Sequence, residues 1–219
     1  VPYTPTVAEL WALNGSNRGR RLVDSAFVTT LYDQASTNDA TQSTSTAQPK
    51  LITAGVAELE NGKPAMVFDG TDDYLVNEAL QATQATTFIS VAELVDDMRL
   101  LTGTNGTNRQ LTYVDGSNVL ALYAGSFVNS GANVSADFGN QTVITSVFNG
   151  ASSAIYRDGA SYDTGDAGAG NLDGLIIGAN YTFTGFNPGR VQEIILYDSD
   201  QSANRRNIET NINNHYNIY

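Results

Sequence analysis

Three aspartates crowd into five positions at Asp69-Gly70-Thr71-Asp72-Asp73. Clustered carboxylates suit a hard cation such as Ca2+, which takes roughly six to eight oxygen ligands. The same five residues also make a tight turn, because Asp side chains bond their own backbone, so both readings stand. Two further stretches carry groups suited to sugars: Asn105, Asn108 and Arg109 in a Thr-Gly-Asn loop, and Tyr181, Phe183 and Phe186 in an aromatic one. A few placed polar groups beside apolar surface is the general recipe for a ligand site, and exposed aromatic loops serve protein interfaces equally well.

Hydrolytic chemistry finds less to work with. His215 is the single histidine, so a Ser-His-Asp triad must use it or not exist, and it falls at a helix end where it favours the dipole. A retaining glycosidase needs two carboxylates about 5 Å apart across a cleft. The run Glu93-Leu94-Val95-Asp96-Asp97 has the wrong spacing for a dense acidic strand motif, and Glu58 and Glu60 sit beside a turn. With no Cys there is no thiolate nucleophile and no Cys-based zinc site. The chain is expected to be non-enzymatic.

A net charge of −12, from 23 acids against 11 bases of which only Lys50 and Lys63 are lysines, repels phosphate backbones and anionic headgroups. Nucleic-acid and membrane-surface roles are therefore not expected, whereas cations and neutral glycans remain. No apolar run approaches the length of a membrane span. The missing cysteines favour a bacterial or viral source over a secreted eukaryotic one. The five Asn-x-Ser/Thr sequons, at Asn14, Asn105, Asn133, Asn140 and Asn180, matter only in a secreting eukaryote. A start at Val1 rather than Met points to processing or to a longer parent.

Positioning these residues falls to many short strands. At 41% hydrophobic and 16% charged with 20 Gly, the composition suits one all-β sandwich. Expected strands run over 26–32, 49–52, 56–59, 65–68, 86–95, 111–114, 119–127, 133–138, 142–148, 175–179 and 190–197, with hairpin turns at Asn61-Gly62 and at Asp158-Gly159 between 153–157 and 160–164. Near-continuous apolarity over 86–95 marks an interior strand. After Asp198 the period lengthens: Ile208, Ile212 and Tyr216 form one stripe of a helix over 202–216 that Ser202 is placed to cap. At the other end Thr6-Val7-Ala8-Glu9 fits a capping box, ahead of Trp11. Residues 1–25 read as an arm or short helix that drops Trp11 onto the domain or onto a neighbouring chain, and the basic cluster Arg18, Arg20 and Arg21 reads either as a solvated loop or as a docking contact for an acidic patch on a partner.

The stretch Gly62 to Leu75, with Tyr32-Asp33-Gln34 before it and Arg190 to Tyr197 after it, resembles the concanavalin A-like lectin/glucanase superfamily, particularly its laminin-G-like jelly rolls. The version with Asn38 to Gln42 and a Gly-Lys-Pro opening is similar to domains of bacteriophage virion proteins. A similar Tyr-Asp-Gln opening occurs in some fungal arabinofuranosidases. The resemblance covers about Ala26 to the C-terminus. It implies a two-sheet antiparallel β-sandwich of jelly-roll type with a C-terminal helix packed against it, and calcium at the sandwich rim. On it rests the expected role: a phage virion decoration or fibre module that assembles with virion proteins or copies of itself and binds surface glycans, located in the virion. The alternatives are a secreted bacterial carbohydrate-binding module and a glycoside hydrolase.

Overall fold

The computed structural model describes residues 24–219. The Thr6–Glu9 capping box, Trp11 and the Arg18, Arg20 and Arg21 cluster lie outside the described residues. From Ala26 onward two antiparallel sheets face one another. The back sheet runs, in spatial order, Ala26–Phe27, Lys50–Thr53, Met66–Asp69, Pro188–Tyr197, Thr86–Glu93, Gln141–Phe148, Ser153–Arg157 and Ala160–Gly165, with Val56–Ala57 hairpinned onto Lys50–Thr53. The front sheet runs Phe127–Val128, Leu120–Tyr123, Leu111–Val114, Arg99–Thr102, Leu172–Ile177, Leu75–Ala82, Ala40–Thr41 and Thr30–Leu31.

Side-chain alternation sorts each strand between faces. In Thr86–Glu93, Phe88 and Ala92 enter the core between the sheets, while Ile89 and Val91 point the other way. The second set is buried too, because helix α1 (Arg205–Tyr216) lies over it. Ile208, Ile212 and Tyr216 meet Ile89, Val91, Val143, Ile195 and Tyr197 there, so the i, i+4, i+8 stripe is the docking seam. Burial on both faces is why this strand carries no polar alternation.

A buried ion pair sits in the same interface. Glu209 accepts a hydrogen bond from Thr145 (2.7 Å) and pairs with Arg205, whose guanidinium lies 3.8 Å from the Tyr156 ring centroid. The helix begins at Arg205 rather than at 202, and Ser202 does not cap it. Asp200 accepts the Ser202 N–H (2.8 Å), which winds 201–204 into a turn, and Gln201 C=O takes the Arg205 N–H (2.7 Å).

Three further expectations are corrected. The 26–32 run divides: Ala26–Phe27 joins the back sheet and Thr30–Leu31 the front one. The 119–127 run is broken at Ala124–Ser126, where the Ala124 and Ser126 N–H groups both turn to Ala167 C=O. In 133–138 only Asn133 makes a β-bridge; its side-chain oxygen accepts the Ser135 N–H (2.8 Å) and Ser135–Asp137 coils into a 3-10 turn. Both expected hairpin turns are present, with Asn61-Gly62 and Asp158-Gly159 at positive φ as that tight turn demands.

Candidate functional site

Register places a continuous row of rings on the outer face of the front sheet. Residues directly opposite one another on paired strands share a face. Arg99 is opposite Tyr113, Tyr113 opposite Ala121, Leu111 opposite Tyr123, and Tyr123 opposite Phe127. Their neighbours Val114, Leu120, Leu122 and Val128 fill the core on the inner side. Outside, Tyr113 and Phe127 have ring centroids 6.3 Å apart, and Phe127 and Tyr123 4.7 Å apart.

Cations close both ends of this row. The Arg99 guanidinium lies 5.8 Å from the Tyr113 ring, and Arg109 lies 5.1 Å from Tyr123 and 4.2 Å from Tyr181. Phe127 is 56% exposed and Tyr181 38%, so the row offers open ring surface to solvent. Tyr113 is buried, and burial, helped by Asp115, pushes its hydroxyl up to about 12, so it stays a protonated donor.

The loop carrying Asn105, Asn108 and Arg109 is braced from within. Asn105 Oδ1 accepts the Thr107 and Asn108 N–H groups (2.9 and 3.2 Å), and its amide donates to Asp173 (3.0 Å). Asn108 Oδ1 accepts the Asn171 N–H (2.9 Å). Arg109 Nη1 donates to Gly106 C=O. A Cβ on Gly106 would sit 2.9 Å from Tyr181 Cε2, so glycine there lets the loop close on the ring. The structure thus brings Asn105, Asn108, Arg109 and Tyr181 together. Phe183 and Phe186 go elsewhere: they pack on Tyr74, at 4.7 and 6.3 Å.

Tyr74 follows the aspartate cluster, which links Met66–Asp69 of the back sheet to Leu75–Ala82 of the front one. Asp69 Oδ1 accepts the Thr71 and Asp72 N–H groups (2.7 and 3.4 Å), and Asp73 Oδ2 accepts the Asp69 N–H (2.9 Å). The turn reading is therefore built in. One oxygen from each of Asp69, Asp72 and Asp73 nevertheless lies within 4.8 Å of the others. Burial pushes Asp73 up to about 6, reinforced by the charges of Asp69 and Asp72. Each carboxylate has lone pairs beyond those the turn uses, so the cluster fits a hard cation such as Ca2+, whose charge would offset that crowding.

Four of the carboxylates weighed for hydrolysis are engaged. Glu93 and Glu60 both meet Arg190 (3.3 and 3.7 Å), Asp97 pairs with Arg99, and Glu58 accepts from Thr53 (2.5 Å). His215 lies exposed in the last turn of α1 with its ring edge-on to Tyr216. Sequence reading did not single out Arg99, Tyr113, Tyr123 or Phe127. Leu111–Val114, Leu120–Tyr123 and Phe127–Val128 carry one ring each, so no pattern within a single strand announces the row.

A sandwich of two antiparallel sheets with one C-terminal helix and this strand order is concanavalin A-like, and comparison with solved structures agrees. A native heptameric SAP-like pentraxin from Limulus polyphemus superposes with a TM-score of 0.50 at 13% identity, over 70% of this chain and 83% of that one. A Trypanosoma rangeli sialidase in complex with 2,3-difluoro-KDN superposes with a TM-score of 0.56 at 14% identity, over 86% of this chain but 31% of the sialidase. This chain thus spans about a third of the sialidase's length. At these identities the likeness is one of fold. No protein-family model and no curated protein sequence matches the chain.

Proposed function

We propose that this chain is a non-catalytic, lectin-like module that binds carbohydrate across the outer face of the front sheet. The observation that carries the reading is the row Arg99, Tyr113, Phe127, Tyr123, Arg109 and Tyr181, in which every successive pair has ring or guanidinium centres 6.3 Å apart or closer. A pyranose presents an apolar C–H face that stacks on such rings, while its hydroxyls take donors at the margin. The fold adds weight only by analogy, since one sandwich hosts many functions. Retention of Ca2+ at Asp69, Asp72 and Asp73 belongs to the same proposal, as does a secreted setting. No catalytic residues are assigned.

The test is calorimetric titration of the full chain with a panel of neutral and acidic oligosaccharides, repeated with Phe127→Ala and Tyr123→Ala. Saturable binding to at least one glycan, weakened roughly fivefold by either substitution at unchanged melting temperature, supports the reading; each stacked ring is worth about 1 kcal/mol. No binding across the panel, or binding indifferent to both substitutions, overturns it.

A second reading, a bacteriophage virion decoration or fibre module, is favoured by a different observation. Phe27, Val56 and Leu59 are exposed at 46%, 69% and 49% on the short strands Ala26–Phe27, Val56–Ala57 and Leu59–Glu60. Apolar surface of that kind suits association between copies. Light scattering on untagged protein separates the two: a stable multimer that Val56→Asp dissociates supports assembly, and a 23.3 kDa monomer contradicts it for the isolated chain.

A further inference from the structure

Arg109 has features that ring stacking alone does not use. The chain holds 23 acids against 11 bases, and four other arginines each hold a carboxylate: Arg99 with Asp97, Arg157 with Asp137, Arg190 with Glu93 and Glu60, and Arg205 with Glu209. Among the described residues two arginines have no carboxylate partner: Arg206, exposed on α1, and Arg109, which is half-buried beside the rings. Asp173, which braces the same loop, is bonded instead by the side-chain amides of Asn105 (3.0 Å) and Gln81 (2.5 Å). With acids in twofold excess, an arginine left without one at the end of the aromatic row is conspicuous.

Its orientation is also fixed. Tyr181 at 4.2 Å and Tyr123 at 5.1 Å flank the guanidinium, and Nη1 is tied to Gly106 C=O. Nε is shut off from solvent and has no hydrogen-bond partner. An anion therefore reaches only the outer Nη groups, and a guanidinium partly desolvated by two rings attracts it more strongly than a hydrated one, because less water competes. A planar fork held in one pose also loses little freedom when a carboxylate binds along its edge.

We propose that the glycan bound on the front sheet carries a carboxylate, as a uronic acid or another acidic sugar does, and that Arg109 receives it while the sugar ring stacks on the neighbouring aromatics. The inference rests on the glycan-binding reading and narrows it to a chemical class. It also limits that class. A net charge of −12 disfavours long polyanions at a distance, so short acidic oligosaccharides or acidic residues at chain ends fit best.

The test uses matched pairs of probes: galacturonate and glucuronate oligosaccharides, and the same oligosaccharides after carboxyl reduction to the neutral sugars. Each is titrated by calorimetry into the full-length wild-type chain, Arg109→Lys and Arg109→Gln, with melting temperature followed in parallel. The expected result is binding at least tenfold tighter to an acidic probe than to its reduced partner in the wild type. Arg109→Gln should remove that preference by weakening the acidic probe far more than its reduced partner, and Arg109→Lys, which keeps the charge without the fork, should retain only part of it. Equal affinity for acidic and reduced probes in the wild type overturns the carboxylate inference while leaving glycan binding intact. That comparison needs no variant, so it holds even if Arg109→Gln fails to fold. Absence of binding to these probes and to the neutral panel overturns both readings.

Discussion

Gly106 and Phe127 separate packing from recognition at the scale of single residues. Gly106 lies in an exposed loop against Tyr181, and a methyl group there would press on the ring. Gly106→Ala is therefore expected to shift Tyr181, weaken glycan binding several-fold and leave the melting temperature within about 2 °C, since surface changes away from the core cost little. The aspartate cluster calls for a different measurement. Millimolar Ca2+ should raise the melting temperature by roughly 5–10 °C if free ion exceeds Kd about a hundredfold. A chelator should reverse the effect, and Asp72→Asn should abolish it; an unchanged melting temperature in Ca2+ would leave the cluster as a turn only. These aspartates were legible in the sequence because a carboxylate cluster declares itself. Tyr113, Tyr123 and Phe127 were not: their proximity is a product of strand register, which no local pattern fixes.

Helix α1 and the strands beneath it carry the argument at the scale of elements. The stripe Ile208, Ile212 and Tyr216 could be read because its four-residue spacing contrasts with the preceding two-residue period. The start of the helix could not, because the Asp200 turn and a serine cap look alike in sequence, and only the observed Ser202 N–H to Asp200 bond decides between them. Ile212 is 4% exposed, so Ile212→Ala should cost about 2–4 kcal/mol in urea unfolding. A loss below about 1 kcal/mol would mean that the helix is not seated on the sheet.

Glu193 lies under the same helix. Burial raises its carboxyl above the usual range, with the Tyr216 hydroxyl and the charge of His215 holding it partway back. A carboxyl whose folded pKa exceeds its unfolded one favours folding while protonated. That contribution is complete below the unfolded value and is lost as pH rises through the folded one. Wild-type stability should accordingly fall over the mildly acidic range relative to Glu193→Gln, which keeps a side-chain acceptor for Tyr216. Parallel stability curves for the two proteins between pH 4 and 7 would contradict this.

For the whole molecule, composition and turn signals were enough to specify a sandwich, since many short strands with Gly-rich turns and no disulfides leave few other architectures. They were not enough to say which strand joins which sheet. The 26–32 run reads as one strand, yet it crosses between sheets, and the acidic stretch at Asp69–Asp73 does the same. At the second crossing carboxylates bond the backbone, and at the first the Val28 N–H turns to Pro49 C=O while Thr29 C=O takes the Gln42 N–H, outcomes set by tertiary contacts rather than by local preference. Sheet assignment then decides function in this account, because it leaves one sheet face covered by α1 and the opposite outer face bearing rings and guanidinium groups. The most direct measurement is a backbone-amide NMR titration of the intact chain with the tightest-binding oligosaccharide from the panel. Perturbations are expected to concentrate at Arg99, at 105–113, at 121–127 and at Tyr181, sparing α1 and the back sheet. Shifts centred on α1 or on Phe27, Val56 and Leu59, or no shifts at saturating sugar, would contradict the assignment of the front sheet as the binding face.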